Sequence, residues 1–181
     1  MAKDDKKKNS ENISDPFFHE SEDYTSAFFG PVPDKILETV PAQADDKTKS
    51  ELVNQLSNPE LREFRADVLA LLKENASQDL LLEIISDEEY KKQRAILIAS
   101  CWETGLDFSK HLEEFIDLLE DKNTDDFSAI EIATVIDEMP GPFDENVLKA
   151  CIKKLETFSV NEPLKREMLN SISLRLRSYS K

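Results

Sequence analysis

From Lys47 onward, apolar residues recur at three- and four-residue intervals, and polar residues that start or stop helices separate the runs. In His111–Asp121, Leu112, Phe115, Ile116 and Leu119 fall on one stripe, and Glu113, Glu114, Asp117, Glu120 and Asp121 fill the rest. Such a helix covers a core on one side only. Ala95–Trp102 differs, being apolar at almost every position. Its length, its Ala and Ser content and the upstream pair Ser86/Glu89 point to a helix enclosed by neighbours rather than a strand.

The punctuation predicts eight helices, near 49–56, 59–74, 77–85, 88–103, 109–121, 125–138, 144–157 and 162–178. Thr48/Glu51, Ser86/Glu89 and Ser159/Glu162 have capping-box spacing, in which a hydroxyl and a carboxylate each accept from a free backbone amide. Asn58 precedes Pro59, whose missing donor costs nothing in a first turn. Ser77, Thr124 and Asp144 are further caps, and Gly105 and the run Met139–Pro142 are stops.

Helix pairs repeat. Leu56-Ser57-Asn58 aligns with Ile85-Ser86-Asp87, and Arg65-Ala66 with Arg94-Ala95, at an offset of 29. The segments starting at Leu81 and Ala95 align with those starting at Phe115 and Ala129 at an offset of 34; Ile116 and Ile132 align with Ile152 and Met168 at 36. A half-apolar first helix followed by a nearly all-apolar second helix cannot bury its own surface, and stacking one pair on the next does so. This pattern over residues 47–181 resembles HEAT or armadillo-type repeats. The resemblance implies an all-α fold: about four αα-hairpins in a short right-handed solenoid whose second helices line a concave binding surface. An ordinary bundle of four helix pairs is the alternative. A regular Pro–Asp–Arg series, which would mark the family, is not present.

Residues 1–46 read differently. They hold four of the eight prolines, and five lysines stand against eleven carboxylates, with no apolar period. This composition predicts a largely disordered tail, with one short helix at Asp34–Val40. Yet Phe17, Phe18, Phe28 and Phe29, with Tyr24 between the pairs, concentrate aromatic surface there. Ordering a chain costs about 1–2 kcal/mol per residue of backbone. Aromatic anchors offset that cost because each buries about 150–250 Å2. The tail therefore reads as a segment that folds on contact, either on its own helical domain or on another protein.

Charge narrows the function. The 181-residue chain carries a net charge of −15. Residues 87–150 hold six basic and seventeen acidic side chains, whereas residues 151–181 hold seven basic and three acidic ones. An acidic centre repels a nucleic-acid backbone and an anionic membrane, which excludes a DNA glycosylase of the HEAT-like kind. The basic end, with Lys153, Lys154, Lys165, Arg166, Arg175 and Arg177, has three readings: a cap on the array, a contact to an anionic partner, or a contact to another copy's acidic centre. The Met1–Lys8 start lacks a following apolar core, so no secretory signal is expected, and no segment reaches the length of a membrane span. With two cysteines in apolar contexts, the expected compartment is the cytoplasm and the thiols are expected to be reduced and buried.

Motifs for chemistry are lacking. His19 and His111 lie far apart, no Cys/His spacing resembles a zinc site, and Glu113, Glu114 and Asp117 near His111 lack the glycine-containing frame of a calcium loop. No metal or cofactor and no enzyme activity are expected. The candidate site is a stripe on the 125–138 helix, where Glu131, Thr134 and Glu138 recur at i, i+3 and i+7. If that helix is an inner one, the stripe faces the concave surface and suits a basic or amide-rich protein segment. The favoured function is thus a non-enzymatic interaction scaffold or adaptor. The alternative is a small acidic inhibitor or immunity-type protein that neutralises a basic enzyme.

Overall fold

The computed structural model describes residues 39, 44–121, 124–158 and 163–179. Every regular element among them is helical: α1 (Asp46–Ser57), α2 (Arg65–Glu74), α3 (Gln78–Ser86), α4 (Arg94–Thr104), α5 (Leu112–Glu120), α6 (Asp126–Glu138), α7 (Glu145–Thr157) and α8 (Pro163–Tyr179). Short 3-10 turns at Pro59–Phe64, Glu88–Tyr90 and Ser109–His111 lead into α2, α4 and α5. The protein is all-α, as the apolar periods require, and the predicted starts and stops lie within three residues of the observed ones, except that α2 and α4 begin six residues later than expected, after their 3-10 turns. No helix among the described residues is long and apolar enough to cross a membrane. The 1–46 tail and its Phe17, Phe18, Tyr24, Phe28 and Phe29 lie outside the described residues, except Thr39 and residues 44–46.

Several caps move from the expected hydroxyl to a neighbouring aspartate. The Asp45 side chain, not Thr48, starts α1 by accepting from the Thr48 amide at 2.9 Å. Asp87, rather than Ser86, accepts from the Glu89 amide, and Asp125, rather than Thr124, accepts from the Ser128 amide at 2.7 Å. In each pair a full negative charge is available at the positive end of the helix and wins over a neutral hydroxyl. The Thr48 hydroxyl and amide beside Asp45 hold its carboxyl below the usual range. Thr124 instead turns its hydroxyl to the Leu118 carbonyl. Asn58 and Asp144 cap as expected, and Gly105 closes α4 in the left-handed conformation at φ 63°. Ser159/Glu162 lies outside the described residues.

The offset of 29 has a structural counterpart. Asn58 and Asp87 cap equivalent 3-10 turns, and the arginine that opens each following helix reaches back nine residues to the end of the preceding one. Arg65 donates to the Leu56 carbonyl, and Arg94 to the Ile85 carbonyl at 3.1 Å. Each arginine also reaches forward, Arg65 to Ser100 and Glu103, and Arg94 to Asp121. The recurring Arg–Ala sequence thus marks a recurring strut between helices.

The second helices pack in succession, α2 on α4, α4 on α6 and α6 on α8, and α5 packs on α7. The hairpins α3/α4, α5/α6 and α7/α8 join these two rows. Between the rows runs one continuous apolar core that includes Leu72, Ile84, Ile98, Phe115, Ile132 and Ile172. Salt bridges and backbone contacts show that α6 and α8 run the same way, since Lys165 reaches Thr124 near one end and Arg175 reaches Asp137 near the other.

Candidate functional site

Residues 94, 97, 98 and 101 turn the buried face of α4 toward the core. With about 100° per residue, Trp102 sits at the edge of that face, on the side where α6 lies. Its indole N–H donates to the Glu131 carboxylate at 2.8 Å. Trp102 is the chain's single tryptophan and is 38% exposed. The hydrogen bond fixes the ring across the seam between α4 and α6 and leaves part of it in contact with solvent.

The expected stripe on α6 lines the same seam, although its three members are not alike. Glu131 holds Trp102. Thr134 is half-buried and returns its hydroxyl to the Ile130 carbonyl at 3.0 Å, so its polarity is largely satisfied within α6. Glu138 is exposed and has no hydrogen-bond or ion-pair partner among the described residues. Beside it, a cleft of about 190 Å3 is lined by Trp102, Leu106, Asp107, Phe108, Val135, Glu138 and Met139, among others. The ends of α4 and α6 meet there, so the two helices run in the same direction.

Toward the start of α6 the surface turns apolar. Phe127 is 73% exposed and Ile130 40%. Phe127, Glu131, Thr134 and Glu138 follow one another at four, three and four residues, which places them along one side of α6. The groove is therefore apolar at one end and aromatic and acidic at the other. Charge periodicity finds Glu131 and Glu138 in the sequence but passes over Trp102 and Phe127. A signal for Trp102 was present, since it stands just outside the 94/97/98/101 stripe and carries a donor that a core position leaves unpaired.

The basic end is largely occupied within the chain. Lys154 bridges Asp117 and Glu120, Lys165 donates to the Thr124 carbonyl, Arg175 pairs with Asp137, and Arg177 pairs with Glu156. The hydrogen bond to Asp117 raises the Lys154 ammonium above its usual range, against the effect of burial. Of the three readings of this cluster, contact with the acidic centre occurs, but within one chain. Asp117 is thereby drawn from the His111 cluster; His111 instead lies between Asp79 at 3.4 Å and Glu114 at 3.3 Å.

Cys101 and Cys151 are free and buried. Burial alone pushes the Cys101 thiol far up. Burial, then Glu113 and Asp117, push Cys151 up to about 11. A thiol near that value has about a hundredfold less thiolate at neutral pH than a free cysteine. In the native protein both cysteines will resist a disulfide reagent that labels them at once in denaturant. Stopped-flow absorbance gives the rates. Native labelling within tenfold of the unfolded rate at either position would show that its thiol is not enclosed.

No family model, curated protein or solved structure matches the chain.

Proposed function

We propose that this protein is a non-enzymatic interaction scaffold, and that the groove between α4 and α6 is its principal partner surface. The observation that carries this reading is the pairing of an exposed, hydrogen-bonded Trp102 with the uncommitted Glu138, on a helix that also exposes Phe127 and Ile130. Aromatic anchors ringed by charge are the usual composition of a recognition surface. The successive packing of α2, α4, α6 and α8 supports the HEAT-like solenoid reading, in which these second helices form the concave side. The partner is a protein segment that is basic and partly apolar. The aromatic tail residues Phe17, Phe18, Tyr24, Phe28 and Phe29 supply a second contact, on that partner or on the protein itself.

The test is charge reversal. Glu131→Lys with Glu138→Lys, in the full chain, will remove salt-sensitive partners recovered from the native cell extract, whereas full-chain Phe→Ser changes at 17, 18, 28 and 29 will remove salt-resistant ones. Circular dichroism will show the helix content of both variants unchanged. An unaltered set of partners with the double lysine variant would take the groove out of the function.

A further inference from the structure

The groove's two ends point to a particular kind of ligand side chain. We propose that the cleft at Trp102 receives one arginine of the partner segment, its guanidinium stacked on the indole and paired with Glu138, while an apolar side chain of the same segment covers Phe127 and Ile130. This rests on the reading that the α4–α6 groove is the partner surface.

Size comes first. The cleft is about 190 Å3, well below the roughly 300–1,000 Å3 of sites that enclose a drug-sized molecule. It suits one side chain. Its walls are apolar at Leu106, Val135 and Met139, and its rim carries the carboxylates of Glu138 and Asp107. An entering group therefore needs a carbon stem and a cationic head.

Charge state is the second consideration. Five nearby carboxylates are matched by the chain's own cations, Glu103 by Arg65, Asp121 by Arg94, Asp117 and Glu120 by Lys154, and Asp137 by Arg175, whereas Glu113 and Asp126, away from the cleft lining, are not. Glu138 has no such match among the described residues, and Glu131 is held only by a neutral indole N–H. These two carboxylates lie beside an exposed aromatic ring, and the Lys73 ammonium, close to Gly105 of the same cleft, is paired with neither. A cation over tryptophan gains from the ring's negative face. Arginine is favoured over lysine because its flat, weakly hydrated head stacks on the ring and still offers paired donors to a carboxylate.

Spacing follows from α6. Ile130 and Glu138 are eight residues apart, about 12 Å along a helix. An extended peptide covers that distance in about four residues. The ligand thus has a bulky apolar residue about four positions from its arginine. The direction in which it lies is read by experiment.

Trp102, as the single tryptophan, reports directly on its own cleft. The probes are twelve-residue peptides without aromatic residues, with leucine and arginine four positions apart in either order. Each is titrated into the full-length protein while tryptophan fluorescence is followed. One order will change the fluorescence saturably. Replacing its arginine with citrulline, a neutral isostere, will weaken binding at least tenfold, and lysine will weaken it less. Glu138→Gln will weaken the arginine peptide by a similar factor and leave the citrulline peptide unchanged. Equal binding of arginine and citrulline, no saturable response to either order, or no effect of Glu138→Gln would overturn the proposal. Should this happen while Glu131→Lys/Glu138→Lys still abolishes partner capture, the arginine is wrong and the groove stands. If partner capture survives the double change, the groove itself is wrong.

Discussion

Replacing Arg94 with methionine will lower the stability of the helical domain by about 3 kcal/mol, toward the lower end of the roughly 3–5 kcal/mol seen when one partner of a buried ion pair is removed. Arg94 is 2% exposed. Its guanidinium donates to the Ile85 carbonyl at 3.1 Å and meets Asp121 at 3.1 Å and Glu88 at 3.3 Å. Methionine fills similar space, so little of the loss comes from a cavity. The loss comes from a carbonyl at the end of α3 that loses its donor and from the Asp121 carboxylate, which loses its contact with the Arg94 guanidinium. Glu88 is largely exposed and can return to water, which keeps the effect below the top of the range. Denaturant unfolding measures it, and an unchanged slope would confirm that the unfolded state is not responsible. Arg65→Met, at the equivalent but more open strut, will cost less. A loss under about 1 kcal/mol at Arg94 would mean that the strut is a consequence of packing rather than a support for it.

Arg94 also shows what sequence can and cannot reveal. The alignment at an offset of 29 placed Arg65 and Arg94 at matching positions in the repeat. It gave no reason to expect either to be buried, since arginine is usually at the surface. The reason lies in the third dimension: α3 ends where α4 begins, and the carbonyl exposed by that turn faces the arginine. The helices were legible because apolar period and stops depend on neighbours in the chain. The Asp45, Asp87 and Asp125 caps were less so, because each competes with a hydroxyl one or three residues away that fits the same spacing rule.

The groove follows the same division. Glu131 and Glu138 could be read from the period of one helix. Their meeting with Trp102 depends on how far α4 slides along α6, and no count along the chain supplies that register. The segment charges were equally incomplete. Seven basic side chains in residues 151–181 left a cap, an anionic partner and another copy's acidic centre as readings, whereas Lys154, Arg175 and Arg177 bind the chain's own Asp117, Asp137 and Glu156. Net charge sums over a segment, whereas recognition depends on which charges remain unmatched after folding.

Phenylalanine separates folding from recognition most sharply. Phe115→Ala will cost about 3–5 kcal/mol, the range for removing a buried aromatic side chain. Phe115 is fully buried and meets Phe108 edge to face, with ring centroids 5.7 Å apart and planes at 86°. Part of the cost, about 0.5–1.5 kcal/mol, belongs to that aromatic geometry; Phe115→Leu, which keeps apolar bulk, therefore loses less but is not neutral. Against a typical domain stability of about 5–15 kcal/mol, the alanine change brings the fold near its limit. Phe127→Ala makes the contrast. At 73% exposed it has little contact to lose, and its effect on stability will stay within about 0.5 kcal/mol. Paired denaturation curves for the two alanine variants measure both numbers. Near-equal losses would mean that Phe127 is covered in solution, by the chain itself or by a second copy. A large loss at Phe115 with none at Phe127 leaves the exposed ring without a structural purpose at the apolar end of the α4–α6 groove, as the proposed partner-binding role of that groove requires.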